Sequence, residues 1–120
     1  MSDSFNIEAI LKKQRKFVKD RDWDKFHTPK NLVMALAGEV GELLEIFQWI
    51  SEEESHRVTK NPEKFEEVSD ELADILYYLL RISDKLSIDL EKAFWTKFKK
   101  TEKKYPVRLA KGNSRKYTEF

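Results

Sequence analysis

Apolar side chains recur at intervals of three and four residues in four separate stretches of the chain, and this spacing constrains the fold more than any other feature. It places the apolar side chains of each stretch on one face of an α-helix. Only three glycines and three prolines are present, too few for short strands joined by tight turns. We therefore predict an all-α fold, an antiparallel four-helix bundle. The predicted helices run from Phe5 to about Lys19, from Pro29 to about Ser51, from Pro62 to about Leu86, and from near Asp89 to no further than Tyr105.

The length and charge of the chain suit a single compact domain. Residues 1–120 are expected to form it, with an irregular basic tail from about residue 106. The net charge of +1 argues against a strongly basic nucleic-acid binder, so no nucleic-acid partner is expected. From Lys92 to Lys116, however, ten lysines and arginines accompany one acidic residue, Glu102. This end either faces phosphate groups or is a solvated basic face.

Features that the sequence lacks also limit the function. Cysteine is absent, which excludes disulfides, thiol catalysis and zinc sites built from cysteine. The sequence has no apolar run of 18 residues and no signal-peptide pattern at its start. We therefore expect a soluble cytoplasmic protein without a membrane partner.

Acidic pairs occur on the flanks of two predicted apolar stripes. Glu39 and Glu42 lie on one side of the second helix, and Glu71 and Asp74 repeat the arrangement on the third. If these helices pack antiparallel with the flanks facing each other, four carboxylates converge. Converging carboxylates repel one another and resist desolvation unless protons or cations neutralise them. Mg²⁺ is the natural candidate, because it prefers hard oxygen ligands and is usually shared between protein carboxylates and substrate phosphates.

The second helix also contains two glycines beside its acidic pair. Gly38 and Gly41 each destabilise a helix interior by about 1 kcal/mol relative to alanine. Their lack of a side chain lets another helix or a ligand approach the backbone, and simple tight packing would also explain them. For the acidic pairs, the alternative is exposure to solvent or pairing with lysines, as is usual for such pairs on helices. The sequence alone leaves both alternatives open.

Longer segments around these acidic residues match a known pattern. The segments "GEVGELLEIFQW" and "DELADILYYL" contain E-x-x-E followed by E-x-x-D, which resembles the MazG-like all-α nucleoside triphosphate pyrophosphatases. The segments "RDWDKFHTPKNLVMALAGEVGEL" and "KYPVRLAKGNSRKYTE" are similar to the dCTP pyrophosphatase branch of that family. The resemblance covers roughly residues 10 to 119, and the flanking "RDWDKFH", "FQW" and "KYP" segments make it specific.

The resemblance implies a nucleotide-hydrolysing enzyme that is a homotetramer with sites at subunit contacts. The reaction it implies is hydrolysis of dCTP or a modified dCTP to dCMP and pyrophosphate. Some relatives carry His at the position of Gln14, a base or sugar contact, and Asn at the position of Thr101, so the ranking of substrates can differ. The implied Mg²⁺ ligands are Glu39, Glu42, Glu71 and Asp74. The residues implied to surround the base and sugar are Trp23, Asp24, Lys25, Phe26, His27, Trp49 and Tyr78.

Mechanistic roles follow as hypotheses. A carboxylate that does not ligate the cation, with Glu42 as the first choice, would take the proton of the attacking water. Lys97, Lys104 and Arg115 would balance the triphosphate charge, although any one such residue is more often simply solvated. One alternative is a pyrophosphatase with another or a broad nucleotide preference, such as dUTP. Another is a non-catalytic helical module that binds a protein partner, and a nucleic-acid binder is less favoured because no recognition-helix pattern is present.

Overall fold

The computed structural model describes residues 5–120, and all regular structure within this range is helical. The α-helices in chain order are α1 (Ile7–Asp20), α2 (Pro29–Phe47), α3 (Glu52–Ser55), α4 (Pro62–Lys85), α5 (Leu90–Lys104) and α6 (Val107–Ala110). Single 3₁₀ turns lie at Asp24–Phe26, Val58–Lys60 and Tyr117–Glu119. The predicted all-α class is confirmed, and the four long helices occupy the four predicted stretches.

Capping residues explain where the long helices begin. The Thr28 side chain accepts a hydrogen bond from the N–H of Asn31 at 3.1 Å, and Pro29 follows at the first helical position of α2. The Asn61 side chain caps α4 in the same way, with a proline again at the first position. Asp89 caps α5 by accepting from the N–H of Lys92 at 3.0 Å. Each cap satisfies a backbone donor that has no partner inside its helix.

The predicted second helix continues to about Ser51, but α2 ends at Phe47. Ser51 begins α3 instead, because its hydroxyl accepts from the N–H of Glu54 at 3.0 Å while the Glu54 carboxylate accepts from the N–H of Ser51 at 3.2 Å. This reciprocal capping box favours a new helix start over continuation of the old helix. Trp49 therefore lies on the connection after α2, beyond the regular helix.

The chain divides into two compact units, one up to Ser87 and one spanning Ile88–Phe120. In the first unit α4 is the central helix, and both α1 and α2 pack against it. The segment just before α2 contacts the C-terminal part of α4, whereas the middle of α2 lies beside the first half of α4. Helices α2 and α4 therefore run antiparallel.

The core of the first unit is small. Many apolar side chains of α2 and α4 stay outside it. Large apolar side chains such as Val40 and Leu44 on α2, and Leu72 and Leu79 on α4, are exposed in the single chain. The buried hydrophobic residues among those described are Leu11, Val18, Leu32, Val68 and Leu80.

Helix α1 ends in a turn that directs the following segment. Asp22 has a φ of 54°, in the left-handed region that aspartate tolerates better than most residues. The N–H of Asp22 donates to the Lys19 carbonyl at 3.1 Å, and the N–H of Trp23 donates to the Val18 carbonyl at 3.0 Å. This is the Schellman arrangement of a helix C-terminus. It turns Trp23 back towards α1, where its ring meets the Phe17 ring edge-on at 5.6 Å.

The second unit consists of α5 and the C-terminal tail. Phe94, Trp95 and Phe98 lie on α5, contact one another and are exposed. The tail is more regular than predicted, since α6 follows Pro106 and a 3₁₀ turn lies near the end. Tyr105 meets the Tyr117 ring edge-on at 6.0 Å, an aromatic contact that ties the end of the chain to the end of α5. Within residues 5–120, no helix combines the length and the hydropathy required to cross a bilayer.

Candidate active site

Three carboxylates from two helices lie together in the first unit. Glu39 and Glu42 of α2 and Glu71 of α4 each offer an oxygen atom, and these three atoms lie within 4.8 Å of one another. We call these residues the acidic cluster. Glu39 and Glu71 are half-buried and Glu42 is exposed. The antiparallel pairing of α2 with α4 thus brings together three of the four carboxylates that the sequence pattern singles out.

The acidic cluster is electrostatically unbalanced. A hydrogen bond with Glu39, together with desolvation and the charge of Glu42, raises the pKa of Glu71 to about 7. The hydrogen bond with Glu71 lowers the pKa of Glu39, but desolvation and the charges of Glu42 and Asp74 outweigh it, so that the pKa of Glu39 is raised. The cluster therefore holds more negative charge than its surroundings stabilise.

Two oxygen atoms of the cluster lack partners. Oε2 of Glu39 and Oε2 of Glu71 are buried, and no donor within residues 5–120 hydrogen-bonds to either atom. Buried carboxylate oxygens without donors are costly, and a divalent cation with hard-oxygen preference would satisfy both. The donor set of three carboxylates, one of them open to solvent, fits an ion that keeps water or phosphate among its ligands.

Asp74 does not join the acidic cluster. It lies one turn after Glu71 on α4, is exposed, and is near enough for its charge to raise the pKa of Glu39. Together with Glu39 it lines a neighbouring cavity. The structure thus places Asp74 beside the cluster, at the boundary between the carboxylates and an aromatic surface.

That cavity has a volume of about 300 Å³ and joins the carboxylates to a group of aromatic rings. The rings of Tyr77 and Tyr78 meet edge-on at 5.1 Å, and the Trp23 and His27 ring centroids are 6.4 Å apart. Aromatic faces of this kind stack on nucleobases. We call the cavity the aromatic pocket; it is lined by Phe17, Trp23, His27, Glu39, Asp74, Tyr77 and Tyr78.

Sequence reasoning did not identify two of these lining residues. Phe17 belongs to the apolar face of α1 and gives no sign of a second role. Tyr77 precedes Tyr78, and a tyrosine pair after "DELADIL" was the available signal. Both residues reach the pocket through the tertiary arrangement, because α1 and α4 pack side by side.

Three predicted substrate contacts lie on the turn before α2 and do not line the pocket. Asp24 accepts from the ammonium of Lys85 at 3.1 Å, which lowers the pKa of its carboxyl. Lys25 donates to Asp22 at 2.9 Å, and its ammonium lies 5.4 Å from the centre of the Phe26 ring. Phe26 itself is exposed. In the single chain, this part of the turn faces solvent.

Gln14 and Trp49 also lie outside the aromatic pocket. Gln14 is buried behind Tyr77, whose carbonyl accepts from its side-chain amide at 3.1 Å, and its Oε1 has no partner within residues 5–120. Trp49 is 86% exposed, the value expected for a side chain without a packing partner in its own chain.

The predicted phosphate contacts belong to the second unit. Lys97 is exposed on α5, and the Lys104 ammonium lies 4.4 Å from the centre of the Tyr117 ring. Arg115 donates to the side-chain oxygen of Asn113 at 3.4 Å. These cations thus have local contacts of their own.

The two glycines of α2 have open space beside them. A Cβ atom built at Gly38 or Gly41 would meet no atom within 4 Å in the described residues. Tight packing inside this chain therefore does not account for either glycine. The approach of a ligand or of another chain is the explanation that the geometry leaves.

Comparison with known proteins gives a consistent result. The MazG-like family matches residues 35–120. The chain is 40% identical over 114 residues to dCTP pyrophosphatase 1 of Bos taurus, covering 95% of this chain and 68% of that protein. It has the same identity over the same length to dCTP pyrophosphatase 1 of Homo sapiens, covering 67% of that protein.

A solved structure agrees in fold as well as in sequence. The crystal structure of a pyrophosphatase from Archaeoglobus fulgidus superposes with a TM-score of 0.79 at 41% identity, covering 88% of this chain and 97% of that one. The acidic residues of α2 and α4 lie within the matched part of the chain. The chain belongs to the MazG-like family.

Proposed function

We propose that this protein is a magnesium-dependent nucleoside triphosphate pyrophosphatase that hydrolyses dCTP, or a modified dCTP, to dCMP and pyrophosphate. The observation that carries the proposal is the acidic cluster, unbalanced and partly buried, opening directly onto an aromatic pocket. The first feature suits a cation that grips phosphates, and the second suits a pyrimidine base. The curated relatives are named dCTP pyrophosphatases, which supports the choice of nucleotide.

The chain's own residues divide the work in this proposal. Glu39 and Glu71 hold the cation, Asp74 is the proposed third ligand at the edge of the pocket, and Glu42 lies beside them without ligating the ion. Bound Mg²⁺ would neutralise and orient the phosphate oxygens of the substrate. Trp23 and Tyr78 confine the base between aromatic faces.

Glu42 is our proposed general base. It is the exposed member of the acidic cluster, and water can reach its carboxylate without passing the buried oxygens of Glu39 and Glu71. A carboxylate oxygen of Glu42 would take one proton from the water molecule that attacks the triphosphate, and pyrophosphate would leave. Lys97, Lys104 and Arg115 are proposed to balance phosphate charge, from the same chain or from a neighbouring one.

We propose a homotetramer as the working form. The exposed apolar surface of α2 and α4, and the strong exposure of Trp49, support further chains covering these faces. The open space beside Gly38 and Gly41 supports the same proposal. In this arrangement Trp49 and the basic residues of the second unit would reach a site in a neighbouring subunit.

Pyrophosphate release from a panel of nucleoside triphosphates, with and without Mg²⁺, tests the proposed function. We expect turnover of dCTP or 5-substituted dCTP with Mg²⁺, and none after chelation. Glu45, an exposed carboxylate on α2 outside the cluster, gives a matched control as Glu45→Gln beside Glu39→Gln. Absence of turnover for every nucleotide in the metal-loaded wild type would remove the proposal, and preference for dUTP would correct the substrate.

A further inference from the structure

A buried arginine lies next to the aromatic pocket. Arg81, on α4, is 2% exposed. Its Nε and Nη2 atoms each lie 3.3 Å from Nδ1 of His27. Its Nη1 lies 3.4 Å from Oδ2 of Asp84, and its Nη2 lies 3.5 Å from Oδ1 of Asp24. Because a buried guanidinium loses much hydration, these contacts require an explanation beyond packing.

The two carboxylates do not depend on Arg81 for a cation. Asp84 accepts from Nη2 of Arg15 at 2.6 Å, and Asp24 accepts from Nζ of Lys85 at 3.1 Å, so each has a closer cationic partner. Within residues 5–120, Nδ1 of His27 has no hydrogen-bond donor other than Arg81. The group for which Arg81 has no substitute is therefore the imidazole.

The chemistry of the two side chains fixes the position of the imidazole proton. A guanidinium only donates hydrogen bonds, so Nδ1 of His27 must accept and cannot carry a proton. A neutral imidazole with Nδ1 unprotonated carries its proton on Nε2. Desolvation, and then the charge of Arg81, lower the pKa of His27, in agreement with a neutral ring.

We propose that Arg81 is a positioning residue that holds His27 as the Nε2–H tautomer, so that the aromatic pocket offers a hydrogen-bond donor to a carbonyl oxygen of a bound pyrimidine. His27 lines the pocket, and within residues 5–120 the hydrogen bonds of its ring all involve Nδ1, so Nε2 remains available to a ligand. The inference rests on the proposed function, because it requires a nucleobase in the pocket. Contacts with both His27 and Asp24 also let Arg81 fasten the turn before α2 to α4.

Nitrogen NMR of the imidazole rings tests the tautomer without any substrate. The chain has two histidines, and His56 is exposed, so a His56→Gln variant assigns the signals and His56 serves as the internal control. We expect Nδ1 of His27 to resonate as an unprotonated nitrogen and Nε2 as a protonated one, while His56 shows tautomers in exchange. A protonated Nδ1 in the wild type would overturn the inference.

Removal of the guanidinium should release the tautomer. In Arg81→Met we expect the His27 nitrogens to move towards the averaged pattern of His56. Arg81→Lys keeps the charge but replaces the planar guanidinium with a compact ammonium, so the His27 nitrogen signals should move less. This variant provides the test if Arg81→Met does not fold. Unchanged His27 signals in a folded Arg81 variant would contradict the proposed role.

Kinetics separate this role from simple stabilisation of the fold. Loss of one substrate hydrogen bond predicts a KM for dCTP that rises about tenfold in Arg81→Met, with a smaller change in kcat. Because Arg81 acts through His27, the same change should add little in a His27→Phe background. Effects that multiply independently, or a fall in kcat alone, would overturn the inference. A wild type without turnover would sink the proposed function and leave the NMR result standing.

Discussion

Helix α4 carries two charged clusters that are electrostatic opposites. In the acidic cluster, Glu71 meets two further glutamates, and its pKa is raised to about 7 by its hydrogen bond with Glu39 and by desolvation. Three turns later, three cations and two carboxylates lie together, and each carboxylate contacts two cations. We call these residues the balanced cluster because its carboxylates have cationic partners: Arg15, Asp24, Arg81, Asp84 and Lys85. There a hydrogen bond from Arg15 lowers the pKa of Asp84.

The comparison separates charged groups that stabilise the fold from charged groups that a bound cation would neutralise. Carboxylates that already contact cations of the same chain need no ion from outside, so the balanced cluster fastens α1 and the turn before α2 to α4. Charges of one sign, with buried oxygens lacking donors, repel one another, and a divalent cation would neutralise them. Within the described part of the chain, the same helix thus carries a carboxylate without a cationic partner in its first half and a carboxylate with two such partners near its C-terminal end.

The largest expected effect comes from a substitution in the acidic cluster. Glu71→Gln should lower pyrophosphate release by about a thousandfold, because loss of a ligand to the cation removes several kcal/mol of transition-state stabilisation. Without metal, the free energy of unfolding should not fall, since the substitution also removes repulsion. Steady-state kinetics and chemical denaturation measure the two quantities.

Glu45→Gln, at an exposed position of α2, is the control and should change neither pyrophosphate release nor the free energy of unfolding. A Glu71→Gln variant that keeps wild-type turnover, or that loses stability without metal, would erase the contrast between the two clusters.

A substitution in the balanced cluster should instead lower the free energy of unfolding. Asp84→Asn removes the carboxylate that pairs with both Arg15 and Arg81, and the Asp84 side chain is only 17% exposed. We expect the free energy of unfolding to fall by about 1–3 kcal/mol, as when a buried charged hydrogen bond is broken. Asp20→Asn, which breaks an exposed ion pair with Lys16 on α1, should change the free energy of unfolding much less. Equal effects of the two substitutions would mean that burial of the cluster does not matter.

Stability should depend on pH differently at the two clusters. The folded pKa of Glu71 is about 7 against an ordinary value of 4.5, so between these values the folded chain binds more protons than the unfolded chain. With metal chelated, this contribution to stability is present below the unfolded pKa and is lost as the pH rises through about 7. The pKa of Asp84 is lowered, so its contribution is lost instead as the pH falls into the acid range.

Denaturation at a series of pH values in EDTA checks this prediction. The ordinary and folded pKa values of Glu71 set an interval on the order of pH 5 to 8. Glu71→Gln should remove the loss of stability in this interval, and it should keep the loss in the acid range that comes from Asp84. An unchanged slope in that variant would show that another group titrates there.

The smallest expected effect concerns the glycines beside the acidic cluster. Gly41→Ala should raise the free energy of unfolding of the single chain by up to about 1 kcal/mol, since nothing fills the space beside it and alanine favours a helix. Ala37→Gly, at an exposed position of the same helix, should lower it by a similar amount.

Activity decides why the glycine is present. If a ligand or another chain approaches Gly41, turnover should fall in Gly41→Ala although the single chain gains stability. Turnover equal to that of the wild type would mean that the site tolerates a methyl group at this position.

Much of the fold could be predicted from local chemistry. Thr28 with Pro29, and Asn61 with Pro62, mark helix starts because side-chain caps and prolines satisfy the same unpaired backbone groups in any protein. The acidic pairs could be assigned to facing helix flanks for a similar reason, since helical periodicity is regular. The end of α2 was predicted too late, because the S-x-x-E capping box at Ser51 starts a new helix there.

Long-range contacts account for the rest of the site. His27 and Arg81 are 54 positions apart, and no local pattern links an imidazole before one helix to a guanidinium near the end of another. Phe17 and Tyr77 reach the aromatic pocket only because α1 and α4 pack side by side. The apolar stripes likewise indicate which helix faces are apolar, but they do not indicate which of those faces are buried within a single chain.

Direct titration of Mg²⁺ into the protein, followed by calorimetry, tests the central claim that the acidic cluster holds a divalent cation. The account predicts saturable binding to the wild type, weakened about tenfold or more in both Glu39→Gln and Glu71→Gln, and unchanged in Glu45→Gln. Equal binding by all four proteins, or no binding by the wild type with or without a non-hydrolysable dCTP analogue, would contradict it.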